Sequence, residues 1–331
     1  MPLLGGFLIF AVLYPSTIKH MNQQQIATAF QDLQDHICSA LETLDGQGRF
    51  EEDRWEHQHQ GGGRTRILQE GAVIEKGGVN FSGIGSPMPP ALLKLLGVQP
   101  KREETLTFFA TGVSIVLHPR SPEVPIIHMN VRYFEMSNGQ WWFGGGIDLT
   151  PHYIDPALAR DFHRQLKAVC DRHDPAHYPA FKRWADDYFY LKHRQETRGI
   201  GGIFFDRLSE KTASKEAHWA FVKDVGDTFV DLYRHQVAAT RDRAYGAAGE
   251  AWQRLRRGRY VEFNLVWDRG TKFGLDTNGR TESILMSLPP QANWAYCYEP
   301  SGAARAAQPL RWMKTDIAWV HQSGPLAPAA H

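Results

Sequence analysis

The 331-residue sequence has few cysteines, almost no net charge and no long apolar run, and each absence argues against a class of protein. The three cysteines, Cys38, Cys170 and Cys297, are odd in number, far apart and without a C-x-x-C pair. They predict free thiols in a reducing compartment, hence a cytoplasmic protein without a disulfide framework or a thiolate zinc site. A formal net charge of +1 argues against nucleic-acid binding, which relies on an excess of Lys and Arg.

Signals for membrane insertion and for common cofactors are also missing. The apolar run at residues 3–14 is too short to span a bilayer comfortably, so stable membrane insertion is not predicted. The sequence contains no phosphate loop, H-E-x-x-H or G-x-S-x-G. It also lacks a dinucleotide fingerprint, because Phe204 stands where the last glycine of a run beginning at Gly199 would be.

The composition supports a large folded core, with 42% hydrophobic and 22% charged residues. The predicted strands follow one another in clusters along the sequence and do not alternate with predicted helices. This order predicts an antiparallel α+β fold. Residues 21–320 are predicted to form a single domain. We expect residues 1–20 to be a dispensable extension outside the core, and the Gly/Pro/Ala-rich residues 321–331 to be a flexible tail.

Several local patterns predict individual elements. Apolar residues at helical spacing predict a helix over residues 22–45, and Asp155 followed by proline predicts a helix start. Glycine-rich residues 61–63 and 77–82 predict a turn and a connection. Residues 260–267 alternate between apolar and polar types and therefore predict a strand.

One alternating strand carries an unusual set of polar groups. In residues 126–136, His128, Asn130 and Arg132 share one face, and these side chains are suited to bind a polar or anionic ligand. The alternative is an ordinary solvated sheet face. A second alternating strand lies within residues 105–117. Antiparallel pairing of the two would give a common surface of Ser114, His118, His128, Asn130 and Arg132.

The next strand follows through a hairpin signal at Asn138 and Gly139. A two-residue turn there would place Arg132 opposite Gly145, leaving room above the sheet for a ligand. The same register would place Asp148 on the opposite face, unless a bulge brings it back.

Two further sets of residues are candidates for chemistry. Arg132 and Asp148 could bind a carboxylate and an N–H group of a ligand, or they could form a structural ion pair. Three histidines, His118, His163 and His193, could hold a divalent metal with an open coordination position, or each could be an ordinary hydrogen-bonded residue.

Long ordered motifs make the sequence resemble the oxygen-dependent coproporphyrinogen III oxidases, from about residue 22 to Val320. The motifs are GVSIVLHPR (112–120), HMNVRYFE (128–135), WWFGGGIDLTP (141–151), RGIGGIFFD (198–206), GRYVEFNLVWDRGTKFGL (258–275) and RTESILMSLPP (280–290).

The resemblance implies an enzyme of haem synthesis. Such an enzyme decarboxylates two propionates of coproporphyrinogen III to vinyl groups, with O2 as oxidant and with release of CO2 and H2O2. The implied fold is a large flat antiparallel sheet between layers of helices. The resemblance further implies a homodimer formed through residues 260–295, and no organic redox cofactor. A divalent metal ion is a candidate cofactor.

The resemblance also assigns roles to residues at matching positions. His128 matches a proton donor, and Asp148 matches a carboxylate that binds the pyrrole N–H groups; with Arg132 they are the candidate catalytic residues. His118, His163 and His193 match metal ligands. The positions that match substrate-binding residues are Ser114, Asn130, Val131, Arg132, Asn278, Gly279 and Arg280.

Two other functions would use some of the same residues. A metal-dependent hydrolase would use the three histidines, and a non-catalytic tetrapyrrole carrier would need the cleft without the Arg132 and Asp148 pair.

Overall fold

The structure is a computed structural model that describes residues 21–99, 105–276, 279–300 and 305–320. The predicted extension at 1–20 and the predicted tail at 321–331 lie outside these ranges. Among the helices of the described ranges, none is both long and apolar enough to cross a bilayer.

The centre of the molecule is a seven-stranded antiparallel sheet packed against helices, which confirms the predicted α+β class. The described strands are β1 (Phe50–Glu56), β2 (Gln60–Gln69), β3 (Ile74–Pro87), β4 (Thr107–Pro119), β5 (Ile126–Met136), β6 (Trp141–Thr150), β7 (Tyr190–Leu191), β8 (Glu196–Thr197) and β9 (Gly201–Leu208). The order across the sheet is β1-β2-β3-β4-β5-β6-β9, and β7 and β8 form a separate two-stranded ribbon.

The helices include those predicted at residues 22–45 and after Asp155. The described helices are α1 (Gln23–Asp45), α2 (Pro90–Leu96), α3 (Pro156–Asp171), α4 (His177–Tyr188), α5 (Lys215–Thr240), α6 (Ala247–Glu262), α7 (Arg269–Asp276) and α8 (Thr281–Leu285). Asp155 caps α3 by accepting from the N–H groups of Ala157 and Leu158, as the Asp-Pro signal predicted.

The two faces of the sheet carry different side chains. On the apolar face, residues such as Ile115 and Met129 pack in one core with Phe30 of α1, Phe162 of α3 and Phe229 of α5. The opposite face carries His128, and we call it the polar face. Helices α6 and α8 lie over it, because Tyr260 contacts the ring of His118 and Ser283 hydrogen-bonds Thr65 and Asn80.

The predicted strand at residues 260–267 is wrong, since α6 runs to Glu262 and continues as a π-helical turn at Phe263–Trp267. Alternation suggested a period of two, but the residues that the fold buries are Tyr260, Phe263 and Asn264, at i, i+3 and i+4. Leu265 and Val266 are exposed. The buried residues therefore lie on one face of a helix, and this face packs against the sheet.

The predicted connection at residues 77–82 is also wrong, because these residues belong to β3. The predicted turn at residues 61–63 lies at the start of β2, directly after the turn that joins β2 to β1. Large side chains fill the space that these glycines leave: the indole of Trp55 lies on Gly63, and the sulfur of Met286 lies on Gly78. At Gly63 and Gly78, glycine therefore serves close packing on the sheet. Gly61 has a φ of 81° and accepts from the N–H of His57 at 2.8 Å, so it closes the turn between β1 and β2.

The hairpin between β5 and β6 has a three-residue loop, not the predicted two-residue turn. Met136 N–H donates to Gln140 O at 2.8 Å, and Gly139 within the loop has a φ of 87°. The extra residue shifts the register by one, so His128 pairs with Asp148. A one-residue shift moves side chains to the other face of a strand. The predicted placement of Asp148 on the opposite face is therefore wrong.

Candidate active site

The centre of the polar face is a row of small polar side chains on neighbouring strands. Asn80 of β3, Ser114 of β4 and Asn130 of β5 are paired in register and are half-buried. The row continues to Gly146 of β6 and ends at Phe204 of β9. The strand pairing thus brings Ser114 and Asn130 together, as the sequence predicted.

The next row contains a histidine–carboxylate pair that the corrected register creates. Nδ1 of His128 lies 2.8 Å from Oδ1 of Asp148. The side chain of His128 is 21% exposed, whereas that of Asp148 is only 1% exposed. His128 therefore lies between the open part of the polar face and a buried carboxylate.

Arg198 holds this carboxylate from the other side, and the sequence patterns had not singled it out. Its Nη2 donates to both oxygens of Asp148 at 2.8 Å, and its Nη1 donates to Oδ1 of Asn264 at 3.0 Å. The guanidinium carbon lies 4.4 to 4.7 Å from the ring centres of Phe189, Tyr260 and Phe263. Arg198 and Asn264 come from distant parts of the chain, so no local pattern could have identified the contact.

These contacts determine the charge of Asp148. Burial acts to raise its pKa, but the positive charge of Arg198 and the hydrogen bond from His128 outweigh burial, and the pKa lies below its usual value. An ionised carboxylate only accepts hydrogen bonds, so the proton between the two side chains belongs to Nδ1 of His128. The other ring nitrogen, Nε2, is then the one that can exchange a proton with a ligand.

Arg132 lies on the same face but has protein partners. Its Nη1 donates to Oδ1 of Asn130 at 2.8 Å, and its Nη2 donates to Oδ1 of Asp206 at 2.9 Å. The residue opposite Arg132 is Gly144 and not Gly145 as predicted. A Cβ at Gly144 would lie 2.8 Å from Nη2 of Arg132, so the space above this glycine holds the guanidinium itself.

The other residues predicted to bind the substrate lie in different parts of the structure. The side chain of Val131 is fully buried in the core on the apolar face, so it cannot contact a ligand on the polar face. Arg280 precedes α8 and pairs with Asp53 of β1, above the polar face. The N–H of Gly279 donates to Gly274 O at 2.7 Å. Asn278 lies outside the described residues.

The three histidines predicted to bind a metal are not brought together. His118 lies on the polar face, with Nε2 2.8 Å from Ser287 O. His163 lies in the core with α3, between Ile200 O and the hydroxyl of Tyr178. Burial lowers the pKa of His118 well below its usual value and that of His163 to about 3.

The third histidine, His193, lies between a carboxylate oxygen of Glu262 at 2.7 Å and the indole N–H of Trp267 at 2.9 Å. Within the described ranges, no group of three or more His, Cys, Asp or Glu side chains could hold a metal. His118, His163 and His193 of one chain therefore do not fit a shared ion.

A groove of about 590 Å³ lies elsewhere, beside α1 and the glycines of β2. Its lining includes Gln24, Ala27 and Phe81, together with Arg54 and Trp55 of the edge strand β1, but none of the predicted site residues. Groove size alone would place a ligand there. The reactive side chains instead mark the polar face as the candidate active site.

Comparison with known proteins gives a consistent result. Residues 25–319 match the family model described as "Coproporphyrinogen III oxidase". The oxygen-dependent coproporphyrinogen-III oxidase of Drosophila melanogaster is 47% identical over 311 residues, which cover 91% of this chain and 79% of that protein. The enzyme of the same name from Synechococcus sp. (strain CC9605) is 48% identical over 299 residues, covering 83% of this chain and 81% of that protein.

Proposed function

Since this chain belongs to the coproporphyrinogen III oxidase family and is an oxygen-dependent oxidase of haem biosynthesis, we propose that the polar face of its sheet is where the reaction occurs. The observation that carries this proposal is the hydrogen bond between His128 and the buried Asp148, in the row next to Ser114 and Asn130. It provides a proton-transfer group beside side chains suited to a polar, anionic ligand.

The reaction oxidatively decarboxylates two propionates of coproporphyrinogen III to vinyl groups and gives protoporphyrinogen IX. For each propionate, the –CH2–CH2–COO⁻ group, O2 and one proton give a vinyl group, CO2 and H2O2. The substrate supplies two electrons and O2 accepts them, so the equation balances without a bound redox cofactor. The protein then has to position the substrate and move protons.

The three candidate catalytic residues have different exposures and therefore different proposed roles. His128 delivers the proton through Nε2. Because Asp148 is almost completely buried, we propose that it acts through His128, by fixing the ring and its tautomer, and not by direct contact with the pyrrole N–H groups. Arg132 binds a propionate, since its side chain is 37% exposed and a guanidinium fork matches a carboxylate.

The remaining substrate contacts are proposed at the same face. Ser114 and Asn130 present polar atoms to the macrocycle, and Arg280 binds a second propionate from the start of α8. Both arginines already have an aspartate partner, Asp206 and Asp53 respectively. A propionate would share or replace these partners.

Assembly and compartment are proposed from other features. A homodimer through residues 260–295 is supported by the exposed apolar side chains of Leu265, Val266 and Trp294, since such side chains are commonly buried between subunits. The cytoplasm is supported by three free cysteines, two of them buried. Nucleic acid is not proposed as a partner.

The proposal is tested by turnover of coproporphyrinogen III with metal-free protein, in air and under argon. We expect consumption only in air, with one CO2 and one H2O2 for each vinyl group formed. Activity lost on chelation and restored by metal would favour the metal-dependent alternative. Binding without consumption in air would indicate a carrier.

His128→Gln tests the proposed site itself. We expect kcat to fall by about 10²- to 10⁴-fold, the range for loss of a general acid or base, while KM changes little. His36→Gln is the matched control, because His36 is exposed on α1 behind the apolar face. Near-normal kcat in a folded His128→Gln protein would contradict the role of His128.

A further inference from the structure

Trp55 of β1 lies on the polar face, far along the sheet from the histidine–carboxylate pair. It pairs with Gly63 of β2, and the same row continues through Ser82 and Gly112 to Arg132. Paired residues of neighbouring strands project from the same face of a sheet. The indole and the guanidinium of Arg132 therefore lie at two ends of one row.

Only small side chains lie between those two ends. Gly63 and Gly112 have none, and Ser82 is short and half-buried. With strands spaced about 4.8 Å apart, the four intervals from β1 to β5 span about 19 Å. This low stretch of the sheet provides a floor for a wide, flat molecule that has a carboxylate at the Arg132 end.

The indole of Trp55 is held flat against this floor. A Cβ at Gly63 would overlap its ring, so the indole lies directly on the main chain there. The indole N–H donates weakly to Oγ1 of Thr65 at 3.4 Å, and this oxygen lies 2.8 Å from Oγ of Ser283 on α8. Trp55 is thereby linked to the helix that follows Arg280, yet the residue remains half-buried.

From these contacts we propose that Trp55 packs against the pyrrole rings of the bound tetrapyrrole and positions the macrocycle relative to Arg132. The inference rests on the proposed function, because it assumes the substrate on the polar face. An aromatic side chain gives apolar contact and ring stacking without competing for the charged propionates. Trp55 contacts no reacting atom, so it contributes to binding and not to proton transfer.

A purely structural role makes different predictions. An aromatic ring that covers a glycine on the neighbouring strand stabilises strand pairing by itself. In that case, removal of the ring lowers the melting temperature but leaves the KM of the remaining folded protein unchanged. Binding measurements on folded variants separate the two roles.

The experiment compares Trp55→Ala, Trp55→Leu and Trp55→Phe with the wild-type protein. Arg54→Ala is the matched control, because Arg54 is the neighbouring β1 residue and projects to the other face, where it pairs with Glu52. The measurements are Tm, the KM and kcat for coproporphyrinogen III, and the Kd of coproporphyrin III, its oxidised form. Because coproporphyrin III is already oxidised, its Kd reports binding without turnover.

We expect Trp55→Ala and Trp55→Leu to raise KM and Kd about three- to tenfold, the size of an aromatic contact, with kcat within about twofold. Trp55→Phe restores most of the affinity, and Arg54→Ala changes neither constant. Trp55→Leu still covers Gly63, so it tests the inference even if the alanine variant fails to fold. Wild-type KM and Kd in a folded Trp55→Leu protein would overturn the inference. Absence of wild-type turnover in air would instead overturn the proposed function.

Discussion

At the scale of single residues, the buried charge of Arg198 is the centre of the candidate site. Its partners are the carboxylate of Asp148, the amide of Asn264 and three aromatic rings. Moving a guanidinium out of water is unfavourable unless a carboxylate and hydrogen bonds replace the water. The same holds for Asp148, so each ion is stable in this position only with the other.

Replacement of Arg198 by Met tests this dependence. We expect Arg198→Met to lower the unfolding free energy by about 3–5 kcal/mol, because it leaves the charge of Asp148 buried without a partner. Denaturant titration measures the change. Asp148→Asn combined with Arg198→Met is expected to cost less than the sum of the single variants, since the unpaired charge is gone.

Arg172→Met is the control for removal of an arginine from an ion pair. Arg172 pairs with Asp224 at the surface and its side chain is 54% exposed, so a loss of about 0–1 kcal/mol is expected. Additive effects of the Asp148 and Arg198 variants would contradict the proposed coupling of the two ions.

At the scale of elements, the loop between β5 and β6 determines which side chains meet. Three residues, Ser137 to Gly139, close this hairpin, and their number places Asp148 opposite His128. A three-residue hairpin loop ends in a left-handed residue, and Gly139 with φ of 87° takes this role. Loop length, and not the strand pattern, thus brings the carboxylate to the polar face.

Variants at Gly139 test whether this position requires a left-handed backbone conformation. Nothing lies within 4 Å of a Cβ built at Gly139, so the effect of Gly139→Ala comes from the backbone alone. We expect Gly139→Ala to lower the unfolding free energy by about 1 kcal/mol. Gly139→Asn should recover most of the loss, because Asn tolerates positive φ. Equal stability of all three proteins in denaturant titrations would refute this interpretation.

At the scale of the whole molecule, the polar-face layer of helices also presents apolar side chains to solvent. Among the large apolar side chains described in residues 260–295, those that are at least 40% exposed are Leu265, Val266, Leu275 and Trp294. The π turn contributes to this exposure, because Phe263 packs inward while Leu265 and Val266 face outward. One layer thus covers the proposed site on its inner side and carries the proposed dimer surface on its outer side.

Leu265→Glu tests this proposed interface. A carboxylate in a buried subunit contact is unfavourable, so we expect the molar mass from light scattering to fall from that of a dimer toward 37.6 kDa. Tyr245→Glu is the matched control, because Tyr245 is 43% exposed but lies outside residues 260–295. A dimer that is equally stable in both variants would place the interface elsewhere.

The sequence by itself determined the fold class, the polar strand and the starts of α1 and α3. These follow from short-range periodicity and local backbone chemistry: alternation in β5, apolar spacing in α1, and the Asp-Pro start of α3. The ordered motifs also indicated the family. Such signals can be recognised in the sequence because each depends only on residues a few positions apart.

Tertiary structure alone decided the register, the helix at residues 260–267 and the partners of the ionisable groups. Alternation in residues 260–267 resembled a strand, but packing of Tyr260, Phe263 and Asn264 against the sheet selected a helix. His118 and His163 resembled metal ligands, but they lie on opposite sides of the sheet. These outcomes depend on contacts between distant residues, such as Asp148 with Arg198, whose energies no local pattern contains.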